Sequence, residues 1–219
     1  MQDLINTVER LRAPDGCPWD KEQTHRSLCR CLQEETAELL DTIDEGDMPH
    51  MREELGDVLL QVVMHAQIAS EGGHFNFDDV AAEINEKLIR RHPHVFGDAR
   101  ADTTEEVLVR WDQIKAKEKN GKMNGSNPPP ALKRPPRHLT TLLYADELLK
   151  QLSKINYVPS AFDEERVHQM AQDMNEDSAG LRLLELVAAC RKAKIDPEAA
   201  LRRFTQSIEQ DFDSKNSPQ

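Results

Sequence analysis

The sequence predicts an all-α fold, and three observations support this prediction. Aromatic residues make up only 5% of the chain, against 38% hydrophobic and 31% charged residues. A core built from Leu, Val, Ile, Ala and Met suits packed helices better than a β-sandwich. Apolar residues recur at helical spacing along most of the chain, and no strand-like alternation extends beyond a few residues. We therefore expect helices joined by short breaks.

The first half of the chain is predicted to form one short helix and four longer ones. Pro49 favours a helix start, because a proline in the first turn costs no hydrogen bond. Gly72 and Gly73 end that helix, and its apolar middle predicts a central position in the fold. The predicted ranges are 3–12, 24–44, about 49–70, 78–91 and 104–119.

A change in composition predicts a boundary between two domains. Residues 120–136 contain five prolines and two glycines, which is typical of a linker. We predict a first domain at 1–119, a linker at 120–137, a second helical domain at 138–213 and a tail at 214–219. The second domain should hold helices near 138–155, 163–174, 177–193 and 197–212.

Charge and cysteine content exclude several classes of protein. The net charge of −12 argues against binding to a nucleic-acid polymer, which needs a basic face. An anionic small substrate is still compatible if a metal ion lies between it and the protein. The sequence shows neither a signal peptide nor the roughly 18–20 apolar residues of a membrane span. Four cysteines without a CxxC pair are typical of free thiols, so we expect a cytoplasmic protein.

Two carboxylates lie where an amphipathic helix should be apolar. At about 100° per residue, Leu28, Leu32 and Leu39 form one narrow arc, and Glu35 falls inside it. Glu38 lies one turn on, at the edge of the arc. An ionised carboxylate on an apolar stripe is costly unless it is paired or coordinates a metal. A metal ligand is therefore one explanation for Glu35.

A second acidic pair follows on the next predicted helix. Glu54 and Asp57 repeat the spacing, and a short antiparallel hairpin would bring the two pairs face to face. Oxygen donors of this kind suit Mg²⁺ or Mn²⁺. The alternative is a solvated surface, since many Glu-rich helices carry such spacing without a metal. The same angular spacing places Glu34 and Glu53 away from the apolar stripe. We therefore expect them to face solvent or to contact the metal-binding carboxylates without binding the metal.

These motifs also carry a family resemblance. The run Glu34-Glu35-Thr36-Ala37-Glu38, followed after fifteen residues by Glu54-Leu55-Gly56-Asp57, resembles the E-E-x-x-E…E-x-x-D signature of MazG nucleoside triphosphate pyrophosphohydrolases. The resemblance covers about residues 1–119. Further segments that look like MazG segments, in order, are LRAPDGCPWDKEQTH, REELGDVLLQVV, NEKLIRRHPHVFGD and VLVRWDQIKAKEK.

The resemblance implies a fold and an activity. The expected fold is a four-helix-bundle unit, usually in a tight homodimer. The expected reaction is Mg²⁺-dependent hydrolysis of nucleoside or deoxynucleoside triphosphates to the monophosphate and pyrophosphate, in house-cleaning or control of the nucleotide pool. Mn²⁺ is the expected alternative metal. The positions that match the family's metal-binding and catalytic residues are Glu35, Glu38, Glu54 and Asp57.

Other positions match residues that contact the substrate in the family. Lys87 and Arg91 match a basic pair that contacts phosphates, and at i, i+4 they point the same way. Trp111 and Lys115 match an aromatic residue and a lysine near the substrate, although Trp111 could equally be a packing residue. Trp19 either touches the nucleotide or anchors its loop. Glu38 or Glu34 is the candidate base that takes the proton from the attacking water.

The second half departs from the family's tandem pattern. GLRLLELVAACRKAKIDPEAALRRFTQSIEQDF looks like the back of a second MazG unit, but Leu181 stands where Asp57 would be and the acidic front is missing. We interpret 138–213 as a degenerate unit with a structural role. In some tandem relatives the second unit is the active one, so this loss bears on the activity of the whole chain.

Two other functions compete with hydrolysis. One is a catalytically silent bundle that binds nucleotides or regulates a partner, which would have no physical need for the acidic and basic residues named above. The other is a ferritin-like di-metal oxidase, which expects two E-x-x-H motifs on helices. Glu165 and His168 form one such motif, but the second, Glu71 with His74, spans Gly72-Gly73 and cannot be helical.

Overall fold

A computed structural model describes residues 1–122 and 132–216 of the chain. Every regular element within these ranges is a helix, which confirms the predicted all-α class. The chain divides into two compact units, Met1–Asn124 and Gly125–Gln219. None of the described helices combines the length and apolar character that a membrane span requires.

The first unit contains the five predicted helices and two short ones inside predicted loops. Pro18 and Pro93 each begin a short helix, as expected of proline in a first turn. The helices are α1 (Gln2–Arg12), α2 (Pro18–Glu22), α3 (Leu28–Glu45), α4 (Met48–Glu71), α5 (Phe77–Arg91), α6 (Pro93–Phe96) and α7 (Thr104–Lys122).

Helix α3 begins four residues later than the predicted start at residue 24. The backbone N–H of Thr24 donates to Ser27 Oγ over 2.9 Å, and that of Ser27 donates to Thr24 Oγ1 over 3.1 Å. Such local bonds from side chains to the backbone offer the chain an alternative to the helix. The segment before Leu28 therefore folds as a turn.

A tight turn makes α3 and α4 an antiparallel hairpin. Gly46 ends α3 in the left-handed conformation, with φ of 68°, which glycine adopts without steric cost. Asp47 then caps α4, its Oδ1 accepting a hydrogen bond of 3.2 Å from the backbone N–H of His50. With so short a connection the two helices contact each other more extensively than any other pair of described elements.

The core of the first unit lies between α1, α3 and α4. Val63 and Met64 are 1% and 4% exposed, which confirms the predicted central position of the middle of α4. Val8 and Leu28 complete this buried cluster. The predicted apolar stripe of α3 is only partly buried, because Leu32 remains 36% exposed and Leu39 is half-buried.

Arg12 connects α1 to the end of α4. Its Nε and Nη2 donate to the two carboxylate oxygens of Glu71 over 2.8 and 2.7 Å. Its Nη1 donates to the carbonyl oxygens of Asp20 and Gln23. The side chain is only 6% exposed, and its buried donors are thereby satisfied.

The second unit is built around α8 (Thr141–Lys154) and α11 (Pro197–Asn216), with α9 (Glu164–Gln172) and α10 (Glu176–Lys192) between them in sequence. Its buried core is formed by Leu132, Leu148, Leu152, Ile208 and Phe212.

The predicted linker and tail differ from the structure at their edges. Helix α7 continues to Lys122, past the predicted linker start at 120. Gly121, a weak helix former, therefore lies within the helix. Leu132 and Pro135 are buried in the second unit, so the last predicted linker residues pack as part of it. Residues 123–131 of the linker lie outside the described ranges. Helix α11 extends into the predicted tail as far as Asn216, and 217–219 are not described.

Candidate metal centre

Three of the four predicted carboxylates meet across the α3–α4 hairpin. Glu35 and Glu38 lie one turn apart on α3, and Glu54 lies on α4. Each offers a carboxylate oxygen, and these oxygens all lie within 4.8 Å of one another. Among the described residues this is the one group of three or more acidic, His or Cys side chains arranged so closely.

Burial differs among these carboxylates. Glu54 is 5% exposed, Glu35 is half-buried, and Glu38 is exposed. The three carboxylates therefore form a cluster with a buried floor at Glu54 and an open rim at Glu38.

Asp57, the fourth predicted carboxylate, lies one turn beyond Glu54 and is half-buried. The pKa of Glu35 is raised above its usual 4.5, first by burial and then by the charge of Asp57, with smaller contributions from Glu38, Glu54 and Glu34. Asp57 is therefore close enough to Glu35 to add to the same negative field. Holding these carboxylates together is unfavourable unless a cation joins them.

The two oxygens of Glu54 differ in their surroundings. Its Oε1 lies 3.0 Å from His50 Nε2. Its Oε2 is buried and has no hydrogen-bond partner. Buried polar atoms are nearly always satisfied, so an orphaned carboxylate oxygen indicates a missing partner. Hard oxygen donors around a negative field fit Mg²⁺ or Mn²⁺.

The protein itself provides little positive charge at this cluster. Arg30 pairs with the neighbouring Glu34, its Nε 2.7 Å from Oε1. Among the ion pairs of residues 1–122 and 132–216, none joins a lysine or arginine to Glu35, Glu38, Glu54 or Asp57. The carboxylates are thus left for an external cation.

The predicted substrate residues Arg91, Trp111 and Lys115 form a second group, on α5 and α7. The Arg91 guanidinium carbon lies 5.5 Å from the Trp111 ring centroid, and Lys115 Nζ lies 5.7 Å from it. Both distances are within the range of cation–π attraction. His92 approaches the same ring edge-on, at 4.9 Å between centroids. Trp111 is therefore surrounded by cationic and aromatic neighbours.

Arg91 is also paired with Glu118, a residue that sequence reasoning missed. Arg91 Nη2 and Arg90 Nε lie 2.6 and 2.8 Å from Glu118 oxygens. These hydrogen bonds, that of Arg91 first, lower the pKa of Glu118 to about 2. Local sequence spacing could not predict this contact, because Arg91 and Glu118 are 27 residues apart in the chain.

The two remaining predicted substrate residues lie apart from these contacts. Lys87 is half-buried on α5, one turn before Arg91. Trp19 is 57% exposed on α2 and receives a hydrogen bond on its backbone oxygen from Gln23. Sequence reasoning also missed His50, although its i, i+4 spacing to Glu54 was visible.

Comparison with known proteins shows which family this chain resembles. Residues 23–96 match the MazG nucleotide pyrophosphohydrolase domain. The nucleoside triphosphate pyrophosphohydrolase of Escherichia coli (strain K12) is 37% identical, over 95% of this chain and 84% of its own length. The nucleoside triphosphate pyrophosphohydrolase/pyrophosphatase MazG of Thermotoga maritima is 40% identical, over 96% of this chain and 83% of its own length.

A third relative matches about half of this chain. The uncharacterized protein YabN of Bacillus subtilis (strain 168) is 56% identical over 113 residues, and this chain spans only 23% of its length. The E. coli and T. maritima proteins, in contrast, are related along most of both chains. On that evidence the chain belongs to the MazG family of nucleotide pyrophosphohydrolases.

Proposed function

We propose that this chain hydrolyses nucleoside and deoxynucleoside triphosphates to the monophosphate and pyrophosphate, with Mg²⁺ held by Glu35, Glu38, Glu54 and Asp57. The observation that carries the proposal is the orphaned, buried Oε2 of Glu54 within a cluster of three carboxylates. The activity for which the E. coli and T. maritima relatives are named supports the same reaction. We infer a role in house-cleaning or nucleotide-pool control.

The residues of the cluster divide the work according to their exposure. Buried Glu54 and half-buried Glu35 and Asp57 are suited to hold the metal, because their surroundings fix them. Bound Mg²⁺ supplies the positive charge that polarises phosphoryl oxygens and acidifies a water molecule. Glu38 would contact the metal from the exposed rim of the cluster. It and the neighbouring Glu34 are both exposed, so either can also reach a water at the rim and accept its proton.

Lys87 and Arg91 are the proposed partners of the phosphate groups. Both lie on one face of α5, where cationic side chains can neutralise oxygens that carboxylates repel. Arg91 already shares Glu118 with Arg90, so phosphate must compete with that carboxylate. Because Trp111 holds Arg91 and Lys115 against its ring, we propose that it orients these cations. Exposed Trp19 is left free to stack on the nucleotide.

We propose that the second unit is structural. The acidic group around Glu54 has no counterpart among the described residues of that unit. Leu181, the position that would match Asp57, is 58% exposed on α10. We therefore assign turnover to the first unit alone.

We also propose a homodimer. Leu40, Ile43 and Leu55 are 56%, 50% and 52% exposed on the α3–α4 hairpin, and Leu184 on α10 is 66% exposed. Apolar side chains concentrated on regular helices are typical of surfaces that a partner covers. Sedimentation equilibrium should give twice the mass of 25.0 kDa, and a monomer at micromolar concentration would argue against this part of the proposal.

The experiment that tests the proposed function is a substrate panel. The purified chain is incubated with each common NTP and dNTP and Mg²⁺, and the products are separated by ion-exchange chromatography. We expect equal amounts of monophosphate and pyrophosphate, and no reaction in EDTA. Diphosphate with inorganic phosphate, or nucleotide binding without turnover, would reject the proposal, and the latter would favour a silent binding bundle.

A further inference from the structure

His50 is placed to control the geometry of one carboxylate in the cluster. It lies in the first turn of α4, one turn before Glu54, and its Nε2 is 3.0 Å from Glu54 Oε1. The Glu54 side chain is 7% exposed, whereas that of His50 is 51% exposed. His50 is thus the solvent-facing neighbour of a buried candidate ligand.

The backbone of His50 is itself fixed by the turn that precedes it. Its N–H donates to Asp47 Oδ1 over 3.2 Å, in the cap of α4. Asp47 in turn follows the left-handed Gly46, whose φ is 68°. The tight turn therefore fixes where α4 begins. It thereby also fixes the position of His50 in the first turn, from which the imidazole reaches Glu54 one turn later.

The short contact leaves the two oxygens of Glu54 in different surroundings. Oε1 faces a ring nitrogen at 3.0 Å, which attracts a carboxylate oxygen when it carries a proton, as it does in the charged ring and in one neutral tautomer. This attraction restricts rotation of the carboxylate about its terminal torsion. Because Oε2 is buried without a hydrogen-bond partner, it is the oxygen with full capacity to bind a cation.

We propose that His50 is a positioning residue that holds Glu54 through Oε1 so that Oε2 binds the divalent cation. This inference rests on the proposed metal centre, and it adds a residue outside the acidic motif. Hydrogen bonds to ligating side chains restrict their orientation, and loss of such a partner typically weakens metal affinity about 10- to 100-fold. Since the ring of His50 is half-exposed, its removal should leave the fold intact.

Mn²⁺ binding in the absence of nucleotide tests this inference without relying on turnover. Free Mn²⁺ is measured by electron paramagnetic resonance during titration of the full chain and four variants. His50→Phe removes the donor but keeps a ring, whereas His50→Gln keeps an N–H donor that can still reach Glu54. His74→Phe makes the same chemical change at an exposed residue just beyond the other end of α4, and Glu54→Gln removes the ligand itself.

We expect His50→Phe to raise the Mn²⁺ dissociation constant about tenfold or more, with unchanged helicity by circular dichroism. His50→Gln and His74→Phe should bind as the wild type does. Wild-type affinity in His50→Phe, or equal losses in His50→Phe and His50→Gln, would overturn the role of His50.

The same titration separates this inference from the proposed function. If the wild type binds Mn²⁺ and Glu54→Gln does not, the metal centre stands whatever His50 does. If the wild type itself takes up no Mn²⁺, the metal centre and the role of His50 are both rejected.

Discussion

Glu35 on α3 and Glu54 on α4 place carboxylate oxygens within 4.8 Å of each other, on facing sides of one hairpin. Partial burial and, after it, the proximity of like charges raise the pKa of Glu35. Without a cation, this arrangement opposes folding at the pH where the carboxylates are ionised. The proposed cation would offset that penalty, so the stability of the protein with and without metal tests the site.

The first prediction concerns the pH dependence of the metal-free protein. Because the raised pKa lets folded Glu35 keep its proton above 4.5, the folded state binds more protons than the unfolded state there. The contribution of Glu35 to the free energy of unfolding is therefore greatest at low pH and is lost as the pH rises through the folded pKa. Thermal melts in EDTA should show Glu35→Gln to be more stable than the wild type at about pH 7.5, by a few degrees.

The same thermal melts also test at which pH added metal stabilises the protein most. MnCl₂ should raise the wild-type melting temperature more at about pH 7.5 than at about pH 5, because protons compete with the metal for carboxylates. Glu35→Gln should gain much less from MnCl₂. Equal stabilisation of the wild type and Glu35→Gln would show that Glu35 is not a ligand.

The second prediction uses the pair of arginines at Glu118. Their hydrogen bonds lower the pKa of this carboxylate to about 2. A carboxylate whose pKa is lower in the folded than in the unfolded state stabilises the protein at pH values above its unfolded pKa. This stabilisation is lost as the pH falls through its pKa in the folded state. Glu118→Gln should therefore be less stable than the wild type in urea at about pH 6, and the difference should shrink towards about pH 3. A stability difference that does not change with pH would contradict the ion pair. Glu105→Gln, at an exposed glutamate of the same helix, is the control and should show little difference from the wild type.

The third prediction concerns the core of the second unit. The Tyr144 hydroxyl donates to Glu209 Oε1 over 2.8 Å, and Glu209 is only 8% exposed. Burial and this hydrogen bond raise the pKa of Tyr144 to about 12. Tyr144→Phe should cost about 1.5–3 kcal/mol of unfolding free energy, because the buried carboxylate loses a donor. The change is measured by urea denaturation.

Tyr157→Phe provides the matched control for that variant. Tyr157 donates to Asp211 over 2.8 Å, but Asp211 is more exposed and keeps Lys215 at 2.7 Å. Removing the Tyr157 hydroxyl should therefore cost less unfolding free energy than removing the Tyr144 hydroxyl. Equal losses at the two positions would mean that burial of the acceptor does not set the cost.

Local sequence was enough to predict the helices and the acidic hairpin. Glu35 was identifiable because a carboxylate on an apolar helical arc has few explanations, and Gly46 and Asp47 lie between two strongly periodic segments. Trp111 was harder to interpret, because its partner Arg91 meets it only after α5 packs against α7. Glu118 was missed for the same reason, as its contacts span 27 and 28 residues of chain.

Short elements and boundaries were the least predictable features. Helices α2 and α6 occupy segments expected to be loops, since a proline can begin a helical turn as readily as it can end one. The late start of α3 depends on the reciprocal bonds of Thr24 and Ser27, which compete with a helix of otherwise suitable composition. Leu132 belongs to the second core although its proline-rich neighbours indicated a linker.

Pyrophosphate release by Glu38→Gln, compared with Glu53→Gln, tests the central claim most directly. Both substitutions remove one negative charge from an exposed glutamate on the hairpin, but only Glu38 lies in the carboxylate cluster. We predict that Glu38→Gln loses turnover while keeping its helicity, and that Glu53→Gln retains wild-type turnover. Normal turnover in Glu38→Gln would contradict the assignment of the cluster as the catalytic metal centre.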